Sequence, residues 1–246
     1  MTHDVASPMR WFAPARPRPD ARLLLFCLPY AGAGAGAFRG WAAAADPRIE
    51  VLPVVLPGRE GRYNEAVPVD VGELTDAIAA RADRPYAIYG HSMGGRLGFE
   101  VVRELRRRGG RLPRRLVLGG CRPPDTLEPL GELAKVTDED LLARLTELGG
   151  LPAEVLAEPE LVELVLPTLR ADFAWLDAYV YAPEPPIEVP ITAFAAEDDP
   201  AVPYDLMRGW SRHTAAGFGM RTETGGHFFL HQARDRILET ICEDMP

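Results

Sequence analysis

The sequence has little cysteine, no long apolar run and no net positive charge, and each shortage excludes something. Cys27, Cys121 and Cys242 are odd in number and widely separated, which leaves no basis for a disulfide framework or a CxxC metal site. They read as buried or incidental thiols. Nowhere do 18 or more apolar residues follow one another, and the opening MTHDVASPMRWFAPARPRPD has no basic segment leading into an apolar stretch. The expectation is a cytoplasmic protein without a membrane partner. A net charge of -9 argues against nucleic-acid binding, which requires a basic field to neutralise phosphates.

Within 246 residues there is room for one large α/β domain, and the chain alternates strand-like and helix-like segments in the order such a domain requires. RLLLFCLPY, IEVLPVVLP, YAIYG, RRLVLGG, PITAFAAE and GMRTET read as strands. VGELTDAIAARA, MGGRLGFEVVRELRRRG, YDLMRGWSRHT and FFLHQARDRILETICED have helical spacing. This pattern predicts a mainly parallel sheet with helices on both faces, and ligand sites beyond the carboxyl ends of its strands. Residues 1–21 form an N-terminal extension and 22–246 the domain. Residues 121–187 interrupt the alternation with two amphipathic segments bounded by proline-rich stretches, an insertion placed to act as a lid. Its Phe173, Trp175, Leu176, Tyr179 and Tyr181 could line an apolar chamber, although aromatics at this spacing also serve ordinary packing. Arg103, Arg106, Arg107, Arg108, Arg111, Arg114 and Arg115 make one basic corner in an acidic chain, and the plain reading is a solvated helix face at the amino end of the sheet.

The stretch PYAIYGHSMGGRLGFE places a Gly-x-Ser-x-Gly string between a strand and a helix, the context of a nucleophile elbow. Gly90 and Gly94 permit the tight turn that exposes Ser92 above the sheet. A hydroxyl needs a base, an orienting acid and donors for the developing oxyanion. His227 is the favoured base because TGGHFFLHQ sets it in a turn between the last strand and the last helix. His91 adjoins the serine but points away, His213 and His231 lie on predicted helices, and His3 is in the tail. The acid should follow the penultimate strand, where AFAAEDDPAVP offers Asp199 first and Asp198 as the alternative, either of which could instead cap a helix. Met93 and Ala31 are the candidate oxyanion donors through their backbone N–H groups. The loop LPYAGAGAG holding Ala31 has neither P-loop nor GxGxxG spacing, which disfavours a nucleotide site.

Taken in order, LPYAGAGAGAFRGW, LPGREGR, GHSMGG, AEDDPAVP and GGHFFL resemble the type II thioesterases that accompany modular polyketide synthases and nonribosomal peptide synthetases, α/β-hydrolases by fold. The resemblance runs from about residue 22 to the end. It implies an editing enzyme that hydrolyses stalled acyl groups from the phosphopantetheine arm of an acyl or peptidyl carrier protein. It needs no metal or dissociable cofactor and acts as a monomer. It carries the nucleophile onto Ser92, the acid onto Asp199, the base onto His227 and the oxyanion donors onto Met93 and Ala31. Phe173, Trp175, Tyr179 and Phe228 are the candidate substrate-lining residues. The integrated, chain-terminating thioesterases usually carry their acid just after the strand that follows the nucleophile helix. Gly120 stands at that place here, with Asp125 beyond the prolines as a weaker substitute, and this departure favours the discrete type. The role of Arg59 in LPGREGR does not follow from the sequence. The rival readings are an esterase acting on free small esters or acyl-CoA, and a non-catalytic binding protein of the same fold.

Overall fold

In a computed structural model of the chain, residues 8–14, 17–65, 68–126, 133–151 and 153–243 are described; His3 lies outside them. Six strands form one parallel sheet: β1 (Leu23–Leu28), β2 (Ile49–Pro53), β3 (Tyr86–His91), β4 (Leu116–Gly119), β5 (Ile191–Ala196) and β6 (Phe218–Glu223), in the order β2-β1-β3-β4-β5-β6. Every residue of β1, β3 and β5 is buried. A strand covered on both faces has no solvated side to carry polar residues, hence the unbroken apolar runs of the sequence. The side chains still alternate. Leu24, Phe26 and Leu28 enter the core on one face, with α2 (Val71–Arg81) and α3 (Met93–Arg107). Leu23, Leu25 and Cys27 enter the other, with α1 (Trp41–Ala44) and the last helix.

Local chemistry sets the helix boundaries. Asp70 caps α2 by accepting from the Glu73 N–H at 2.8 Å. Between β4 and β5 the insertion holds α4 (Asp138–Glu147), α5 (Ala153–Leu156) and α6 (Pro159–Ala178); Thr137 caps α4 and Pro159 opens α6, where a missing N–H costs nothing. Their small core comprises Leu133, Leu141, Leu145, Leu169 and Phe173. The helix predicted over 204–214 is α7 (Tyr204–Met207) continued by a 3-10 stretch to His213. The last one starts as a 3-10 turn, Phe229–His231, and becomes α8 (Arg234–Cys242) only after Ala233. Part of the N-terminal extension is built into the body: Trp11 and Phe12 are buried, and Phe12 bridges to Val54 beside β2.

The topology selects a place for a site. After β1 the chain crosses to β2 on one side, and after β3 it crosses to β4 on the other. The loops leaving β1 and β3 therefore part, and a crevice opens beyond their carboxyl ends. The arginine-rich corner lies at the far end of α3, about 22 Å away for a 15-residue helix. Its charge is largely met: Arg103, Arg106 and Arg107 all pair with Glu184, and Arg108 pairs with Glu104 and Asp76.

Candidate active site

Ser92 stands between β3 and α3 at φ 52°, ψ −116°, a backbone conformation that side chains rarely adopt and that persists only where its surroundings enforce it. They do so through two close approaches. A Cβ on Gly90 would overlap the Gly94 backbone, and one on Gly94 would overlap the Leu28 and Pro29 carbonyls of the neighbouring strand end. Only glycine fits at either place. The Ser92 N–H donates to the Gly119 carbonyl at 2.8 Å, which ties the turn to β4.

The structure brings Ser92, His227 and Asp199 into one hydrogen-bonded chain. His227 Nε2 lies 3.0 Å from Ser92 Oγ, and Nδ1 lies 2.7 Å from Asp199 Oδ2. A carboxylate only accepts, so Nδ1 carries the proton and Nε2 is left to accept from the serine hydroxyl. Asp199 is held in turn by the Ala201 and Val202 N–H groups on Oδ1, at 2.8 and 3.0 Å. Asp199 and His227 are buried, whereas Asp198 is exposed. Asp125 points elsewhere, pairing with Arg212 and His213. Gly120 is at φ +50°, and a Cβ there would lie 3.3 Å from His227 Cε1 and 3.5 Å from Asp199 Oδ2. The place where the integrated thioesterases are expected to carry their acid therefore adjoins the same imidazole, and here it is empty of side chain.

His91 is a supporting residue that the sequence reading set aside. Its Nε2 lies 2.8 Å from the His227 carbonyl, so Nε2 must donate; Nδ1 then accepts from the Tyr89 hydroxyl at 3.0 Å. Burial pushes the His91 pKa down to about 3, so the ring is neutral and acts as a fixed hydrogen-bonding post under the His227 backbone. Its only signal in the sequence is adjacency to the elbow.

Ser92 and His227 open into a chamber lined largely by apolar side chains. Ala31 and Met93 line it too, as do Phe173, Leu176 and Phe228. Met93 is the first residue of α3, so its N–H has no carbonyl of its own helix to bond. Trp175 and Tyr179 depart from expectation, because neither lines this chamber; both border a groove between the end of α6 and helices α2 and α3 instead. The reason is helical geometry: at about 100° per residue, Trp175 points roughly 200° away from Phe173, while Leu176 returns to its side. The Tyr179 hydroxyl donates to Glu100 at 2.6 Å. The thiol of Cys121, also on the chamber wall, has its pKa pushed up to about 11 by burial and remains protonated.

A thioesterase-domain family model matches residues 24–245. The chain belongs to the thioesterase family. Solved relatives agree in fold and length. RedJ, the thioesterase of prodiginine biosynthesis in Streptomyces coelicolor, is 36% identical with a TM-score of 0.86, over 95% of each chain. BorB, a type II thioesterase from the borrelidin cluster, is 37% identical with a TM-score of 0.85, over 96% of this chain and 98% of that one. LgrE of Brevibacillus parabrevis, 36% identical over 96% of this chain and 92% of its own, is named linear gramicidin dehydrogenase. This thioesterase has no GxGxxG loop of the kind that seats a dinucleotide. Its class is that of thioester hydrolases of the serine type, on an α/β-hydrolase sheet. Among the described residues no helix is long and apolar enough to cross a membrane.

Proposed function

We propose that this thioesterase removes stalled or aberrant acyl groups from the phosphopantetheine arm of carrier proteins in a polyketide or nonribosomal-peptide assembly line. The observation that carries the reading is the Asp199–His227–Ser92 chain opening onto an apolar chamber at the crevice of the sheet. Ser92 Oγ attacks the thioester carbonyl as His227 Nε2 takes its proton, and Asp199 stabilises the imidazolium through Nδ1–H. The oxyanion is received by the Met93 and Ala31 N–H groups. Collapse of the tetrahedral adduct breaks the C–S bond and releases the pantetheine sulfur, which takes the proton from His227. Water then gives a proton to His227, attacks the Ser92 ester and frees the acid, returning the serine.

The carrier delivers its arm from the lid side. Support comes from the arginine-rich corner, which lies at the opposite end of α3 with its guanidinium groups already paired to Glu184, Glu104 and Asp76. The site is complete within one chain, which supports action as a monomer. Matching substrates test the reading: one acyl group presented as carrier-bound thioester, as coenzyme A thioester and as oxygen ester of a small alcohol. Carrier-bound thioester should give the highest kcat/KM, by about tenfold or more. Preference for the oxygen ester would assign a general esterase instead.

A further inference from the structure

The loop holding Ala31 is not fixed by the sheet alone. Asp172, on α6 of the insertion, is buried among its partners: Oδ2 accepts from the Gly32 N–H at 2.7 Å and from Arg59 Nη1 at 2.9 Å, and Oδ1 accepts from Arg59 Nη2 at 2.7 Å. Arg59 Nη1 also donates to the Ala33 carbonyl at 2.8 Å. The turn is therefore gripped on both sides of Gly32: the Ala31–Gly32 peptide by its N–H and the Ala33–Gly34 peptide by its C=O. Gly32 itself is at φ +78°, and a Cβ there would overlap the Leu169 side chain, so α6 presses directly on this turn. Thr168, also on α6, donates to the Gly58 carbonyl at 2.7 Å and holds the Arg59 loop to the same helix.

We infer that Asp172 and Arg59 are positioning residues which set the Ala31 N–H in the oxyanion hole, so that the hole is assembled only while α6 is seated. This rests on the proposed function of Ser92 and Ala31. A bidentate arginine–carboxylate pair fixes orientation as well as distance, and a donor displaced by a fraction of an ångström loses much of its effect on a developing charge. Neither residue touches the acyl group in this arrangement. Their effect is transmitted through the peptide between Ala31 and Gly32.

Two variants separate positioning from plain stability. Asp172→Asn keeps an oxygen for Gly32 at the Oδ2 place but sets an amide NH2 against Arg59, leaving the buried guanidinium without a counter-charge. Arg59→Met combined with Asp172→Leu removes both charges, which restores stability in many buried pairs but leaves the Gly32 N–H without an acceptor. Thermal unfolding and steady-state hydrolysis of a small soluble acyl thioester are measured for each. The paired replacement should be the more stable variant and the slower one, with kcat down about tenfold to a hundredfold and KM within about twofold. Asp172→Asn should be less stable yet keep more kcat. Activity that follows stability instead, or wild-type kcat in the paired replacement, would overturn the inference. Fluorophosphonate labelling of the unaltered protein keeps the two levels apart: without an adduct at Ser92 the underlying reading fails and takes the inference with it.

Discussion

No residue of β1, β3 or β5 is exposed, whereas α6 of the insertion leaves Leu161 42% and Leu164 48% exposed and carries Pro167 within its length. The sheet's two cores draw on many strands and helices; among the described residues the insertion's own core is five buried side chains. Its attachment to the body combines polar links, among them Arg59–Asp172 and Thr168–Gly58, with Trp175 and Leu176 packed against the sheet's core. The difference teaches a division of labour. Groups that must meet within hydrogen-bond distance, Ser92, His227 and Asp199, all come from turns at the ends of densely packed strands. The wall of the chamber beside them comes in part from an element with little core of its own, the low-stability end from which moving parts are drawn.

The body half of this comparison breaks most sharply at the proposed acid, Asp199. Asp199→Asn should lower turnover about ten thousandfold, since an amide in place of the carboxylate no longer selects the Nδ1–H tautomer, while Asp198→Asn, exposed and off the chain, should cost less than about tenfold. Steady-state kinetics of both variants decide it, and effects of reversed size would hand the role to Asp198. Next in size is a paired truncation. Phe26→Ala in the sheet core should destabilise global unfolding by about 3–5 kcal/mol, whereas Phe173→Ala in the insertion should shift it by less and instead raise KM for long acyl chains. Equal losses in denaturant titrations would mean that insertion and sheet unfold as one unit.

A smaller effect sharpens the account of His91. Its folded pKa lies at about 3, below the unfolded value of about 6.5, because burial disfavours the charged ring. Between those values the unfolded chain binds more protons. The stabilisation is therefore complete above about pH 6.5 and is lost as pH falls toward 3, by up to about 1.4 kcal/mol per pH unit. His213 and His231, also depressed by burial, add in the same direction. His91→Gln should flatten the pH dependence of unfolding between pH 4 and 6, as measured by denaturant titration; an unchanged slope would show that His91 is not the group responsible.

Much of this was legible in advance because it rests on local chemistry. Short unbroken apolar runs bounded by glycine and proline suit strands covered on both faces, and the glycines around Ser92 mark a turn that no other residue fits. The order of the motifs pointed to a family, and the family to its candidate site. What was not legible depends on partners far away in sequence. Asp172 and Arg59 are 113 residues apart, so neither segment alone announces the pair. Trp175 and Tyr179 were grouped with Phe173 by composition, but the rotation of α6 decides which side each one faces. His91 looked idle beside the serine because its partner is a backbone carbonyl at His227, invisible to side-chain chemistry. The breaks at Met207 and Ala233 were missed for a different reason: 3-10 turns keep nearly the same apolar spacing as an α-helix over so few residues.

The central claim, that Ser92 is the nucleophile, is tested most directly by mass spectrometry of tryptic peptides after reaction with a fluorophosphonate, run beside thioester hydrolysis by the Ser92→Ala variant. The account predicts a single adduct on Ser92. It also predicts a fall in hydrolysis of roughly four to six powers of ten in the variant, which should remain folded. An adduct on another residue, or a Ser92→Ala protein that still hydrolyses the thioester at near the original rate, would contradict it.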